Sequence, residues 1–141
     1  MSDHLHGVRE RRVGLRAAVG RVETTLATPS GGRADQWAKE LAAELDLLGD
    51  ALDLHIASNE AEDGLLHDIE QLAPNLVPRI EKVRQDHISL RHRLELAQRA
   101  LPDVTDSRDR VVELLTAIVR HRHLGAELVY DAYNIDLEAA D

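Results

Sequence analysis

The chain has 141 residues, a length that fits one domain with a core of its own. Hydrophobic residues make up 43% of it but aromatic residues only 2%, so the core must be aliphatic, and the lack of cysteine excludes disulfides and thiolate metal sites. The net charge of −9 disfavours nucleic acid as a partner, and the sequence contains neither a membrane-spanning apolar run nor a secretory signal, so we predict a single cytoplasmic domain over residues 1–141 that binds no membrane.

Four long segments repeat apolar residues at alternating spacings of three and four, at about 5–26, 37–55, 76–101 and 111–132. A loop at 28–35 separates the first two segments, and Asp35 is the residue expected to cap the second helix. Leu65, Leu66, Ile69 and Leu72 predict a short amphipathic helix that ends at Pro74, and a turn at 101–107 precedes the last segment. Such spacing is typical of helices packed at shallow angles. We therefore predict an all-α, up-down-up-down four-helix bundle with a short extra helix between the second and third long helices.

Few large polar residues interrupt the apolar faces of these helices, chiefly Arg12, His55, His87 and His121. His87 and His121 lie almost equally far from the turn at 101–107, so at about 1.5 Å rise per residue their heights along the bundle differ by only about 1–2 Å. His55 lies near the far end of its helix. Three imidazoles at one height in a bundle are good ligands for a metal ion or a haem, and buried imidazoles need partners for their nitrogens.

The chain resembles the hemerythrin, or HHE cation-binding, family over nearly its whole length. The relevant stretches are LDLHIASNEAEDGLL around His55, VRQDHISLRHRL around His87, and VRHRHLGAELVYDAY from Val119 to Tyr133. The resemblance implies an up-down four-helix bundle that holds iron for dioxygen carriage, sensing, or peroxide and nitric oxide chemistry. The last stretch is similar to an actinobacterial-type subgroup of that family.

The chain departs from the ligand pattern of that family in all four helices. In the second helix the family has a glutamate four residues after the histidine, where this chain has Asn59. In the third helix the second histidine is replaced by Arg91, and in the fourth the aspartate is replaced by Ala126. In the first helix Arg12 takes the place of the histidine. Because these ligands are replaced, the di-iron ligand set is incomplete. The cations at Arg12 and Arg91 also disfavour a second metal ion.

The leading prediction is therefore one metal ion held by His55, His87 and His121, with Glu60 as the fourth ligand. Iron is the expected metal, as one or two ions, and the donor set also suits manganese or zinc. Dioxygen, peroxide or nitric oxide would bind at the open coordination positions. Whether His4 or Glu127 joins the site stays open, as does a homodimer formed through exposed edges of the apolar faces.

Two alternatives follow from the same residues. In the first, the bundle binds haem with His87 and His121 as axial ligands, Gly125 makes room for the macrocycle, and Arg12 and Arg91 meet its carboxylates. In the second, the bundle has lost its cofactor and serves as an interaction or structural module, as the replaced ligands suggest. No residue points to an enzyme with a defined organic substrate.

Overall fold

The computed structural model describes the backbone of residues 14–140 and the side chains of residues 14–134. This part of the chain is helical and contains no strand, which confirms the all-α prediction. No helix within it is long and apolar enough to cross a membrane. The helices are α1 (Leu15–Ala27), α2 (Ala34–Glu60), α3 (Leu65–Leu72), α4 (Val77–Ala100) and α5 (Val104–Ala140), with a 3₁₀ turn at Pro74–Leu76 between α3 and α4. The extra helix predicted between the second and third long segments is α3.

A glycine and two aspartates lie at the starts of α2 and α5. Gly32, between α1 and α2, has a φ of 72°, a backbone conformation that favours glycine. The prediction that Asp35 caps α2 is wrong: the helix begins at Ala34, and Asp35 lies within its first turn, where a carboxylate favours the positive end of the helix dipole. Asp103 does cap a helix, because its Oδ1 accepts a hydrogen bond of 2.8 Å from the Asp106 N–H in the first turn of α5.

The helices form a bundle in which α1 packs chiefly on α2, α4 packs on α5, and α2 also contacts α4. Trp37, near the start of α2, is fully buried in this core. The buried apolar residues form two clusters, a larger one shared by α1, α2, α4 and α5 and a smaller one shared by α3, α4 and α5.

Histidines interrupt the apolar core where these two clusters meet. Along α4, His87 stands between Val83 of the smaller cluster and Leu90 of the larger one. Along α5, His121 follows Ile118 of the larger cluster and precedes Leu128 of the smaller one. The bundle therefore contains one polar layer between two apolar regions.

Candidate metal centre

Three histidines from three helices converge in this polar layer. His55 of α2, His87 of α4 and His121 of α5 each offer one ring nitrogen, and these nitrogens all lie within 4.8 Å of one another. His87 is 1% exposed and His121 3% exposed, whereas His55 is half-buried. The ring centroids of His87 and His121 are 4.7 Å apart, which confirms the prediction that the two residues share one height. Each histidine takes the place of an apolar residue in its helical repeat, so helix packing alone brings the rings together.

The ring nitrogens of His55 and His121 are spaced like two ligands of one metal ion. Their Nε2 atoms lie 3.1 Å apart. Two nitrogens bound to one ion at about 2.0–2.1 Å, with an angle of about 90–110° between the bonds, are about 2.9–3.4 Å apart. The pair is thus already spaced as two ligands of a single metal ion, and without metal one Nε2 can donate a hydrogen bond to the other.

A carboxylate fixes the orientation of the His121 ring. Asp86 Oδ2 lies 2.6 Å from Nδ1 of His121, so Nδ1–H donates to the carboxylate. The tautomer with its proton on Nδ1 leaves the lone pair of Nε2 free. A carboxylate on the outer nitrogen of a histidine is the usual support for a metal-binding imidazole, because it fixes the ring and makes the ligand nitrogen more basic.

The other two histidines also have a polar neighbour on the Nδ1 side. Asn59 Nδ2 lies 3.4 Å from Nδ1 of His55, and it also donates a hydrogen bond of 2.7 Å to the His55 carbonyl one turn earlier. Glu60 Oε2 lies 3.7 Å from Nδ1 of His87. The carboxylate at His121 keeps the proton on Nδ1 and leaves Nε2 as the ligand atom. At His55 the Asn59 amide donates to Nδ1, so the ring proton stands on Nε2 and must move to Nδ1 before Nε2 can bind an ion.

His87 is the histidine whose nitrogens the protein does not satisfy. Both ring nitrogens are buried, and neither has a hydrogen-bond partner among the described residues. A buried polar group without a partner costs about 1–3 kcal/mol, and such groups are rare in folded proteins. A metal ion accepting the Nε2 lone pair would give one of the two nitrogens a partner and remove its share of this penalty, so the residues present fit a metal ion.

The surroundings hold His87 and His55 in the neutral form that binds metals. Burial first, and then the nearby His121, His55, Arg91 and Arg84, together lower the pKa of His87 to about 4. The pKa of His55 is also lowered, by burial first and then by His121 and Arg122. At neutral pH the lone pairs of both rings are therefore available without loss of a proton.

We expect the metal-free protein to lose stability as the pH falls from about 6.5 towards 4. The unfolded chain takes up a proton on His87 near pH 6.5 and the folded protein only near pH 4, so the unfolded state binds more protons in between. The loss at pH 5 relative to pH 8 should be roughly 2 kcal/mol, with a smaller contribution in the same direction from His55. Urea unfolding of chelator-treated protein at several pH values measures it. A stability that stays flat or rises on acidification would contradict the prediction, and His87→Leu should flatten the profile.

The predicted fourth ligand, Glu60, and the predicted Arg91 do not belong to the cluster of ligand nitrogens. Glu60, the last residue of α2, lies beside Nδ1 of His87, so it stands outside the cluster of three ligand nitrogens and in the position of an orienting group. Arg91 points to the surface, where its guanidinium pairs with Asp53 at 2.8 Å. Its charge still contributes to the low pKa of His87, but it does not line the cavity beside the centre. Arg12 lies outside the described residues.

Three further residues were named from the sequence as possible members of the site: Gly125, Glu127 and His4. Gly125 lines an apolar cavity next to His55 and His121, and a Cβ added to it would meet no atom within 4 Å. Glu127 is exposed and does not belong to the histidine cluster. His4 lies outside the described residues.

The cavity beside the histidines has a volume of about 620 Å³. It lies between α3 and α5, with two residues from α2 and one from α4, and most of its lining is apolar. The residues that line it are His55, Asn59, Leu65, Leu66, Ile69, Val83, His121, Arg122, Gly125, Ala126, Leu128, Val129, Tyr130, Tyr133 and Asn134. His87 does not line it, so the centre has a buried side at His87 and an accessible side at His55 and His121.

The ring geometry does not suit a haem held between His87 and His121. Two axial imidazoles must lie on opposite faces of the porphyrin plane. Here the two rings are 4.7 Å apart between centroids and tilted by 58°, which is the separation of aromatic rings in direct contact. No macrocycle fits between them unless the helices move apart, so the arrangement favours a single ion.

Sequence reasoning missed Asp86 and the size of the cavity, of which it anticipated only the space at Gly125. Asp86 precedes His87 directly and faces away from the regular apolar pattern, so only its position next to a core histidine marked it. Its partner is instead His121 on the neighbouring helix. Asn59, which the sequence suggests only as a lost ligand, supports His55.

Comparisons of the chain with protein-family models, with curated proteins and with solved structures found no match. The hemerythrin-like family therefore stays a prediction based on the stretches quoted above. The function must be argued from the geometry of the centre.

Proposed function

We propose that this protein is a metal-binding helical bundle that holds one divalent transition-metal ion through His55, His87 and His121. The observation that carries the proposal is the convergence of the three imidazoles within 4.8 Å, while buried His87 has no hydrogen-bond partner among the described residues. Without a bound ion, the buried imidazole of His87 would destabilise the folded protein. A bound ion gives all three nitrogens a common partner.

The donor set suggests which ions can bind. Imidazole is a ligand of intermediate softness that suits iron, zinc and related ions, and three neutral donors leave at least one coordination position open. The resemblance of the chain to the hemerythrin family favours iron among these ions, and the contacts of α1 with α2 and of α4 with α5 suit an up-down bundle of that kind. An iron there would supply a binding position for dioxygen, peroxide or nitric oxide.

The residues of the chain prepare the centre for a positive charge. Asp86 holds the tautomer of His121 that keeps its Nε2 lone pair free, and Glu60 brings a second carboxylate to His87. The two carboxylates offset part of the charge of a divalent ion without occupying its coordination positions. The apolar core clusters on either side of the layer exclude water from the buried side of the centre.

Metal content tests the proposal. Tag-free full-length protein is loaded anaerobically with Fe(II), and in parallel with Zn(II) or Mn(II), freed of excess ion by gel filtration, and assayed by mass spectrometry. We expect about one ion per chain, and none in the double variant His87→Ala/His121→Ala, because one remaining imidazole cannot hold the ion.

The matched control is the double variant His67→Ala/His123→Ala, which removes two exposed histidines and should keep the metal. Two ions per chain would instead indicate that further residues complete a di-iron site. A chain that takes up no metal, or a His87→Ala/His121→Ala variant that keeps it, would overturn the proposal and leave the cofactor-free bundle.

A further inference from the structure

The cavity beside the histidines is far larger than a diatomic ligand requires. One water molecule occupies about 30 Å³ in the liquid, and dioxygen, peroxide and nitric oxide are of similar size. The cavity volume of about 620 Å³ is instead in the range of sites for organic ligands, roughly 300–1,000 Å³. Small ligands alone therefore do not account for it.

The walls of the cavity are apolar and include both tyrosines of the chain. Tyr130 and Tyr133 line it although aromatic residues make up only 2% of the sequence, and both are more than half exposed. Leu65 of α3, also lining the cavity, is 38% exposed. Large apolar side chains that stay exposed around one opening are typical of a binding site for an apolar molecule.

The polar groups in the cavity favour an anion. His55 and His121 stand at the metal side, and Arg122 adds a guanidinium near enough to lower the pKa of His55. Arg122 is exposed and forms no ion pair with a carboxylate of residues 14–134, and the cavity lining contains no acidic residue. A divalent ion bound to three neutral imidazoles would add further positive charge at this end.

We infer that the cavity binds a medium-chain monocarboxylic acid, with its carboxylate between Arg122 and the metal ion and its apolar chain between α3 and α5. Decanoate serves as the representative of this class, because a cavity of about 620 Å³ is in the range of sites for organic ligands. The inference rests on the proposed metal centre and names the class of ligand that its accessible side would take.

Isothermal titration calorimetry with decanoate tests the inference on full-length protein loaded with Zn(II), which is redox-silent. We expect saturable binding of one decanoate per chain. Decanol, which has the same chain but no carboxylate, should bind at least about tenfold more weakly, as should decanoate to the metal-free protein.

Two pairs of variants locate the ligand. Gly125→Leu places a side chain into the open space of the cavity and should weaken decanoate binding at least about tenfold, whereas Gly20→Leu, an equally open glycine on α1, should leave it unchanged. Arg122→Gln should weaken binding several-fold, unlike Arg120→Gln at an exposed site of the same helix that does not line the cavity. Circular dichroism verifies that each variant is folded.

Zinc content, measured on the same samples, separates the two proposals. A chain that holds zinc but binds no decanoate, or binds decanoate and decanol equally, overturns the inference and leaves the metal centre intact. Equal binding by Gly125→Leu and the unsubstituted protein also overturns it, because the ligand would then lie elsewhere. A chain that holds no zinc overturns the proposed function and the inference with it.

Discussion

The variant His87→Leu is expected to lose metal binding while its metal-free form becomes more stable than the unsubstituted protein. His87 is 1% exposed and its two ring nitrogens have no hydrogen-bond partner among the described residues. Leucine has a similar volume and no polar atom, and His87 lies between the apolar side chains of Val83 and Leu90. Removing the unsatisfied group should raise the free energy of unfolding by about 1–3 kcal/mol at pH 7. The loss of one of three ligands should weaken zinc binding at least about a hundredfold.

Urea unfolding with chelator present measures the stability, and a competition titration with a chromophoric chelator measures the zinc affinity. His92→Leu is the matched control, because His92 is exposed on the same helix, and it should change the stability by less than about 0.5 kcal/mol. A large loss of stability in metal-free His87→Leu would mean that the imidazole makes a stabilising contact without metal. Unchanged zinc affinity would remove His87 from the ligand set.

Such an exchange of stability for binding explains why a polar layer persists in an otherwise aliphatic core. The metal-free bundle is expected to fold more stably with an apolar residue at position 87, where the imidazole has no hydrogen-bond partner among the described residues and Val83 and Leu90 are its neighbours along α4. An ion that binds only the folded state raises the free energy of unfolding. The increase grows with the logarithm of the ratio between the ion concentration and the dissociation constant. A histidine layer that holds an ion, as proposed, would make the stability of the bundle depend on metal supply.

The sequence predicted the helices and the meeting of the histidines because both depend on simple repeats. A spacing of three and four residues marks one face of a helix, and a short turn at 101–107 lets the rise per residue place His87 opposite His121. The third histidine of the cluster, His55, followed from its place on the apolar face of α2. These relations need no knowledge of how each helix is rotated or tilted.

The polar partners of the histidines depend on how each helix is rotated and tilted relative to its neighbours. The sequence did not predict these partners. Glu60 was expected as a ligand, yet at the last residue of α2 its carboxylate reaches Nδ1 of His87. Asp86 contacts a histidine on another helix, a pairing that depends on the relative rotation of α4 and α5. The cavity lies between α3 and α5 and is lined by Gly125 and Ala126, and no periodicity of the sequence encodes its volume.

The variant Asp86→Asn is expected to weaken metal binding about 10- to 100-fold without changing the number of ions bound at saturation. The Asp86 carboxylate lies 2.6 Å from Nδ1 of His121, and its charge increases the electron density that the ring offers through Nε2. Asparagine can still accept the hydrogen bond from Nδ1–H, so the ring should keep its orientation. Only the negative charge, which strengthens the ligand and offsets the charge of the ion, is removed.

The matched control is Asp53→Asn, which removes the carboxylate that pairs with Arg91 at the surface and should leave the zinc affinity within about twofold. Asp86→Ala separates charge from geometry, because it removes the hydrogen bond as well. A larger loss of affinity in Asp86→Ala than in Asp86→Asn would show that holding the ring in place contributes on its own, whereas equal losses would assign the effect to charge. Unchanged affinity in both variants would mean that Asp86 does not support the ligand, and that His121 is oriented by the packing of α4 against α5 alone.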